Sequence, residues 1–427
     1  MNSKEQAPIF RKRFNILTLV FISVVINYLD RSNISVAAYQ LSEDLSLNSV
    51  QMGYIFSAFA WSYALLQIPG GILVDNIKAR FLYTFMIILW SIATLFHGLV
   101  SSFYALIGLR ASIGVFQAPS FPTNNAIITK WFPERERASA IAIYTSGQYV
   151  GLAFLTPVLV SIQHYMGWRG LFIVSGILGL VLGLIWYKYY RDPKNHKTIS
   201  KSELDYITQD DNNNISKKKS SSFKWNDIKY AFINPKLWGL YIGQFCIGSL
   251  IIFFLTWFPT YLVRYRGIDF LESGFLASIP FLAAFVGVLL SGFTSDLLVR
   301  KGYSKEIARK FPIICGMLLS TCIIGVNYTN NTSYIIFFLA LAFFGNGFAS
   351  TTWIFISLMS PKKLIGIVGG TFNFIGAFSA IITPIIIGYL VQHGDFRPAI
   401  FFIVGLTITG LLSFIFMVGK IKRVDLE

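Results

Sequence analysis

Long apolar segments alternate with short polar ones along the whole chain. Each apolar segment holds about 18–27 residues, enough for one helix to cross a hydrocarbon core of about 30 Å. Six segments precede a longer polar interval and six follow it, at 15–38, 51–74, 82–101, 104–127, 138–161, 170–188, 237–260, 273–297, 311–328, 333–357, 364–389 and 396–418. The pattern therefore predicts an all-α membrane protein with twelve transmembrane helices.

The charges between these segments indicate which side of the membrane each loop occupies. Basic residues concentrate at the N-terminus, in every second loop and in the C-terminal tail, and few lie in the opposite loops. Lysine and arginine are retained on the cytoplasmic side of a membrane. We therefore expect a multi-pass protein of the bacterial inner membrane, embedded in the lipid bilayer, with both termini in the cytoplasm.

The composition excludes several other classes of protein. Of the 427 residues, 54% are hydrophobic and 13% are charged, about half the charged fraction of a soluble domain. The net charge of +16 could suggest nucleic acid, but the basic residues lie in short loops rather than on one soluble face. The cysteines and histidines lack metal-ligand spacing, and no nucleophile–base pair or phosphate loop appears. We expect no enzyme, metal, cofactor or nucleic-acid partner.

The polar interval divides the chain into two halves. It is lysine-rich and includes the low-complexity run DNNNISKKKSSS, which is typical of a flexible segment. The predicted domains are therefore an N-terminal six-helix bundle at 1–190, a cytoplasmic connector at 191–235 and a C-terminal six-helix bundle at 236–427.

A short motif repeats in the two halves. The end of the second apolar segment reads GGILVDNIKAR and the end of the eighth reads SGFTSDLLVRK, each with glycine four residues before aspartate. Such duplication favours a transporter whose site lies between the halves. We expect ion pairs and helix-end contacts of this motif to hold the cytoplasmic side shut, although its basic members could serve only to orient the protein. The gating candidates are Asp75, Arg80, Asp296 and Arg300.

Two charged residues, Asp30 and Arg31, lie deep in the first apolar segment. Charge at this depth is costly and indicates function by default. Arg31 shares a helix face with Tyr28, so its guanidinium can hold a substrate carboxylate beside the tyrosine hydroxyl. Asp30 points about 100° away towards a neighbouring helix and could bind a proton. A structural ion pair that locks two helices is the alternative.

Other polar residues are isolated in apolar segments of both halves. A polyhydroxylated acid needs several neutral donors and acceptors, one cation and an apolar ring, although each residue alone could equally join two helices. In the tenth segment, helical spacing predicts a shared face for Asn346, Ser350, Trp353 and Ser357, with Thr352 off that face. The fourth segment holds Arg110, which could also serve in helix packing or a gate.

The repeated motif resembles the signature of the major facilitator superfamily, although Asn76 stands where arginine is common. NYLDRSN, FPTNN, WFPERERASA, YTSGQYVGLAFLTP, FLTWFPTYL and AFFGNGFASTTW resemble the anion:cation symporter branch, and within it the bacterial D-galactonate:proton symporters. This resemblance implies two six-helix bundles around a central cavity. It also implies that Asp30 couples to protons and that Arg31 helps to hold the anion. The further substrate contacts implied are Tyr63, Gln148, Gln244, Ser350, Thr352, Trp353 and Asn373.

Gln117 departs from that branch, in which a glutamate is usual; here the stretch reads GVFQAP. An amide resembles a protonated carboxylic acid in shape but releases no proton. The glutamine could mark a natural member coupled differently, a relative that no longer couples protons, or an engineered substitution.

The function predicted is proton-coupled import of a sugar acid, D-galactonate or a related aldonate or hexuronate, by a monomer that alternates its access. Two alternatives stay open: an uncoupled anion facilitator or exchanger, and a non-transporting anion receptor. The expected partners are a small organic anion and protons.

Overall fold

The computed structural model describes residues 12–196, 198–208, 233–361, 364–421 and 423, and every regular element in this part is helical. The helices are α1 (Lys12–Asp44), α2 (Ser49–Asn76), α3 (Ala79–His97), α4 (Phe103–Gln117), α5 (Ser120–Trp131), α6 (Glu134–Tyr189), α7 (Lys201–Thr208), α8 (Pro235–Thr256), α9 (Phe270–Arg300), α10 (Lys305–Ser320), α11 (Thr332–Phe348), α12 (Trp353–Met359), α13 (Ile365–Leu390) and α14 (Arg397–Leu412).

Nine helical stretches of the described residues are long and apolar enough to cross a membrane. They give twelve spans when α6 is counted as two, α2 is added, and α4 with α5 is added as one. Helix α6 has 56 residues and supplies two spans, because Gly167 interrupts it with φ 69°, a backbone conformation that glycine adopts without strain. Helices α4 and α5 form one span that is broken at Pro119. Short helical turns at Phe258–Thr260, Tyr261–Tyr265, Thr321–Tyr328, Ser350–Thr352 and Ser413–Met417 extend or join others. The predicted all-α fold is confirmed.

Among the described residues, the closest contacts between the two halves lie at one end of the molecule. We call the end that carries Lys12 and Arg423 the terminal face and the opposite end the distal face. At the distal face, a Cβ on Gly53 would lie 2.6 Å from the Pro384 carbonyl oxygen, and one on Gly388 would lie 2.6 Å from that of Ser49. Helices α2 and α13, one from each half, therefore touch backbone to backbone.

Aromatic side chains reinforce this distal contact. Phe56 of α2 meets Trp257 edge-to-face at 5.3 Å between ring centroids, and the hydroxyls of Tyr54 and Tyr389 lie 3.5 Å apart. Towards the terminal face the halves diverge, because Gln67, Phe121 and Trp353, which lie in the terminal parts of their spans, line an open space between the halves. The space between the halves therefore opens to the terminal face.

Each half has its own core near the terminal face. Trp90, Trp131 and Trp186 pack inside the first half, while Tyr241, Phe355 and Phe414 pack inside the second. The third apolar cluster lies towards the distal face and contains residues of both halves. The domain boundaries after residues 190 and 235 stay a prediction.

Part of the segment interpreted as a flexible connector is folded onto the first half. Pro193–Asn195 forms a 3-10 turn and α7 follows at Lys201–Thr208. Ile207 is buried in the core of the first half, and the Glu203 carboxylate accepts the Arg13 backbone N–H at 3.0 Å. Tyr206 of the same helix donates a hydrogen bond to Glu136 and accepts one from Arg135. The lysine-rich composition of the segment hid this short helix, because only a few of its residues contact the first half.

Candidate functional site

A cavity of about 920 Å³ lies between the halves, within the size range of ligand sites. Eight of the nine residues predicted to bind substrate line it: Tyr28, Tyr63, Gln148, Gln244, Ser350, Thr352, Trp353 and Asn373. The first three of these belong to the first half and the others to the second, so both halves contribute directly. The wall combines amides, hydroxyls and aromatic rings.

Arg31, the ninth predicted residue, lies behind the first-half wall and is half-buried. Its guanidinium carbon is 4.9 Å from the ring centre of Tyr28 and 4.8 Å from that of Tyr63. Phe59 provides a third ring at 4.8 Å. Arg31 and Tyr28 lie on one face of α1, as their spacing of three residues predicted. The aromatic rings restrain the guanidinium and leave its charge one layer from the cavity.

Gln117 is fully buried and contacts Arg31 directly. Its amide oxygen accepts the Arg31 Nε–H at 3.2 Å. Its own Nε2 has no hydrogen-bond partner among the described residues, and neither does Arg31 Nη2. The amide therefore orients the guanidinium without neutralising it, and one Arg31 nitrogen keeps its donor capacity.

Asp30 points away from the cavity into the interior of the first half and is 2% exposed. Asn33 donates to its Oδ1 at 3.4 Å, and Trp90 of α3 and Arg110 of α4 are its other polar neighbours. Among the described ion pairs none joins Asp30 to a basic side chain. The alternative of a structural ion pair at Asp30 therefore has no support from the described ion pairs.

Arg110 is buried between these groups. Its guanidinium carbon lies 5.4 Å from the Phe59 ring, on the same aromatic side chain that Arg31 contacts, and it interacts electrostatically with both Arg31 and Asp30. Two arginines and one aspartate thus share a low-dielectric interior. If all three are ionised, the cluster carries an excess positive charge that suits an anion.

The second half contributes a polar contact that depends on a break in a helix. The 3-10 turn Ser350–Thr352 separates α11 from α12, and Thr352 there donates to Gln244 Oε1 at 3.0 Å. The prediction that Thr352 lies off the polar face is therefore wrong, because it assumed a regular helix. Trp353 is 47% exposed and meets Phe372 edge-to-face.

The wall also contains Asn346, which helical spacing placed on the polar face of the tenth segment, and three polar residues that were not predicted: Gln67, Asn125 and Tyr149. Asn125 accepts the Tyr144 hydroxyl at 2.6 Å, and Asn346 donates to the Ile247 carbonyl at 3.0 Å. A polar side chain isolated in an apolar segment was the feature that identified Gln148. The same feature could have identified Gln67 and Asn125 from the sequence.

The gating candidates make contacts within single halves. Arg80 donates to the Tyr187 carbonyl at 3.0 Å and stacks on that tyrosine ring. Asp296 pairs with Arg309 at 2.8 Å, and Arg300 is exposed. The side chain of Asp75 lies outside the described residues. Their predicted role in closing the cytoplasmic side stays a prediction.

Comparison with known proteins agrees with this architecture. Residues 20–384 match the Major Facilitator Superfamily. A D-galactonate transporter of Escherichia coli O6:H1 is 51% identical over 97% of this chain and 97% of its own length. A probable galactarate/D-glucarate transporter of Bacillus subtilis is 42% identical over 97% of this chain and 94% of its own.

Solved structures show the same fold at low sequence identity. A bacterial homologue of the human lysosomal transporter Spinster, in an inward-facing and unoccupied conformation, superposes with a TM-score of 0.71 at 20% identity, covering 98% of this chain and 96% of that one. The nucleoside transporter NupG superposes with a TM-score of 0.71 at 12% identity, covering 95% and 100%.

Twelve spans in two halves around a polar cavity define a multi-pass membrane transporter rather than an enzyme. The chain belongs to the Major Facilitator Superfamily.

Proposed function

We propose that this transporter imports a sugar acid, D-galactonate or a close relative, together with protons. The observation that carries the proposal is the cavity between the halves, where amide and hydroxyl side chains lie in front of an arginine pair. The relatives named for D-galactonate and for galactarate/D-glucarate support it. Both substrates combine carboxylate with a chain of hydroxyl groups. The arginine pair can attract the carboxylate, and the amide and hydroxyl side chains of the wall can bind the hydroxyl groups.

Each part of such a substrate has a counterpart in the cavity. The amides of Gln148, Gln244 and Asn373 can donate to and accept from sugar hydroxyls. The exposed face of Trp353 can cover the C–H face of the carbon chain. The carboxylate would bind the unpaired Nη2 of Arg31 after Tyr28 or Tyr63 shifts, because both rings lie between the guanidinium and the cavity.

Charge provides a route to coupling. With Asp30 ionised, the cluster of Asp30, Arg31 and Arg110 carries one net positive charge, and protonation of Asp30 raises this to two. An anion bound at Arg31 would then favour the protonated state of Asp30, and the proton would favour the anion. This reciprocity is what symport requires of the two ligands.

Gln117 favours the alternative of an uncoupled facilitator or exchanger. The amide oxygen accepts from Arg31 at 3.2 Å but carries no titratable proton. An acid at this position would compete with the substrate for the guanidinium until it was protonated. If coupling depends on that step, this chain would bind anions while accumulating them weakly. A receptor that binds without transporting is the remaining alternative.

The transporter would function as a monomer in the bacterial inner membrane, with the terminal face in the cytoplasm. With that orientation, the cavity is open to the cytoplasm in the present conformation. Access would alternate when the contacts of Gly53 and Gly388 separate and the terminal ends approach each other. The motif residues Arg80, Asp296 and Arg300, with Asp75, would then hold the terminal face closed.

The test is uptake of radiolabelled D-galactonate into proteoliposomes, with and without an inward proton gradient. Accumulation only under the gradient would support symport, whereas exchange that ignores the gradient would support the facilitator. Binding without flux would favour the receptor. If the protein neither binds nor moves galactonate, while a galactarate control also fails, the substrate assignment is wrong.

A further inference from the structure

A second cavity, of about 560 Å³, lies at the terminal face and outside the transport path. It is formed by the start of α1, the end of α6 and the residues that follow α6. Its polar side carries four side chains that are basic or can become so: Lys12, Lys188, Arg191 and His196. Two separate stretches of the sequence, the start of α1 and residues 188–196, thus bring positive charge to one cavity.

Within the part of the chain that the structure describes, the neighbouring acids Asp192 and Glu203 have other partners. Asp192 is paired with Lys130 at 3.2 Å and accepts the Tyr190 hydroxyl at 2.9 Å. Glu203 is 2% exposed and accepts the Arg13 backbone N–H. Burial lowers the pKa of the His196 imidazole, and the charges of Lys12 and Arg191 lower it further, against the opposing effect of Glu203. The cavity therefore has a positive potential.

The opposite wall of the same cavity is apolar. Ile16, Leu19 and Ile185 form it, and all three belong to membrane spans. Leu184, beside this wall, is 64% exposed on the outer surface of the same span, where lipid chains would cover it. Since the cavity lies where these spans end, its basic side is at the depth of lipid headgroups and its apolar side reaches into the hydrocarbon.

We propose that this cavity binds an anionic phospholipid, with the phosphate held by Lys12, Lys188 and Arg191 and one acyl chain lying along Ile16, Leu19 and Ile185. Basic pockets between membrane spans on the cytoplasmic side suit such headgroups. A free phosphate ion would satisfy the basic side alone. The apolar wall, continuous with the lipid-facing surface, favours the lipid. The site does not depend on which substrate the transporter carries.

Native mass spectrometry of the full chain tests this, with phosphatidylglycerol and phosphatidylethanolamine added separately. The wild type should retain phosphatidylglycerol preferentially. Lys12→Gln with Lys188→Gln should lower its affinity for phosphatidylglycerol about tenfold or more, since each basic residue near an anionic surface contributes about a factor of five. Neither lysine caps a helix in a described contact, so the fold should survive, and monodisperse elution checks it.

The matched control removes two lysines from the same face of the second half, Lys236→Gln with Lys301→Gln; both residues are exposed. Equal loss of phosphatidylglycerol in control and test variants would show general surface attraction and overturn the site. Displacement of the lipid by millimolar inorganic phosphate would instead show a site for a free anion. If the double variant does not fold, Lys188→Gln alone should still weaken binding about fivefold.

A pH series gives a second measurement. Protonated His196 adds a charge facing Lys12, Lys188, Arg191 and Glu203, so phosphatidylglycerol should bind more tightly as the pH falls below about 6.5 through the lowered pKa of His196. Binding that is unchanged over this range in the wild type, or that changes equally after His196→Gln, would contradict a headgroup beside the imidazole.

Discussion

At the scale of single residues, the surroundings of Arg31 decide what the first half can bind. Three aromatic rings enclose its guanidinium carbon at 4.8–4.9 Å, and Gln117 accepts from its Nε. These contacts depend on the planar shape of the guanidinium as well as on its charge. The remaining nitrogen can then donate to a carboxylate in a fixed direction.

Arg31→Lys should therefore weaken D-galactonate binding at least about tenfold, although the positive charge is kept, because charge-assisted hydrogen bonds contribute about 1.5–3 kcal/mol. Equilibrium binding of radiolabelled substrate to detergent-solubilised protein measures the change. Arg169→Lys is the control: it also removes a guanidinium stacked on an aromatic ring, but lies at the distal face, and should leave binding unchanged. Equal affinity of Arg31→Lys and wild type would exclude Arg31 as the carboxylate contact.

Gln117→Glu should change the pH dependence of transport. An ionised carboxylate at position 117 would pair with Arg31 and compete with the substrate, so affinity at neutral pH should fall and recover as the pH is lowered. Accumulation driven by a proton gradient should rise over that of the wild type. Both are measured by galactonate uptake at several external pH values. If the pH dependence of uptake is the same in the two proteins, position 117 takes no part in coupling.

At the scale of elements, the spans followed from the sequence because length and hydropathy alone specify them. The contacts between spans did not. Arg31 and Gln117 are 86 residues apart, and no periodicity relates α1 to α4. The position of Thr352 was mistaken because a 3-10 turn, which no proline marks, rotates the polar face after Ser350. Helix α7 was missed because its few packing residues lie in a lysine-rich stretch.

The backbone contact between α2 and α13 gives a prediction about conformation. Gly53→Val would place a side chain against the Pro384 carbonyl, where even a Cβ would lie at 2.6 Å. Overpacking of this kind costs about 1–3 kcal/mol and acts only while the distal face is closed. The variant should therefore shift towards a conformation open at the distal face.

Thiol-accessibility measurements on distal positions of α2 would detect this shift as faster labelling. Gly108→Val, on an exposed part of α4 where a Cβ meets no described atom within 4 Å, is the control and should label like the wild type. Slower distal labelling in Gly53→Val would contradict the closed distal contact.

At the scale of the whole molecule, the distal contact and the open terminal face describe one state of an alternating cycle. The halves meet through Phe56, Trp257 and the tyrosine pair at the distal end, while the cavity faces the other side. Transport requires these contacts to break, because the cavity otherwise exchanges with one compartment only. Substrate binding does not require the distal contacts to break, since the cavity is already accessible from the terminal face in this state.

A cross-link across the distal contact should separate these two requirements. Tyr54→Cys with Tyr389→Cys, in a background without the three native cysteines, places one thiol on each side of the contact at which the native hydroxyls lie 3.5 Å apart. Because a cysteine side chain is shorter than a tyrosine side chain, the thiols lie farther apart than the hydroxyls, and a cross-linker has to span the gap. A short reducible cross-linker should abolish galactonate uptake while leaving binding from the terminal face intact, and reduction should restore uptake. The single-cysteine variants treated identically control for modification. Uptake that persists in fully cross-linked protein would mean that the halves need not separate at the distal face, and rocking of the two halves would be wrong.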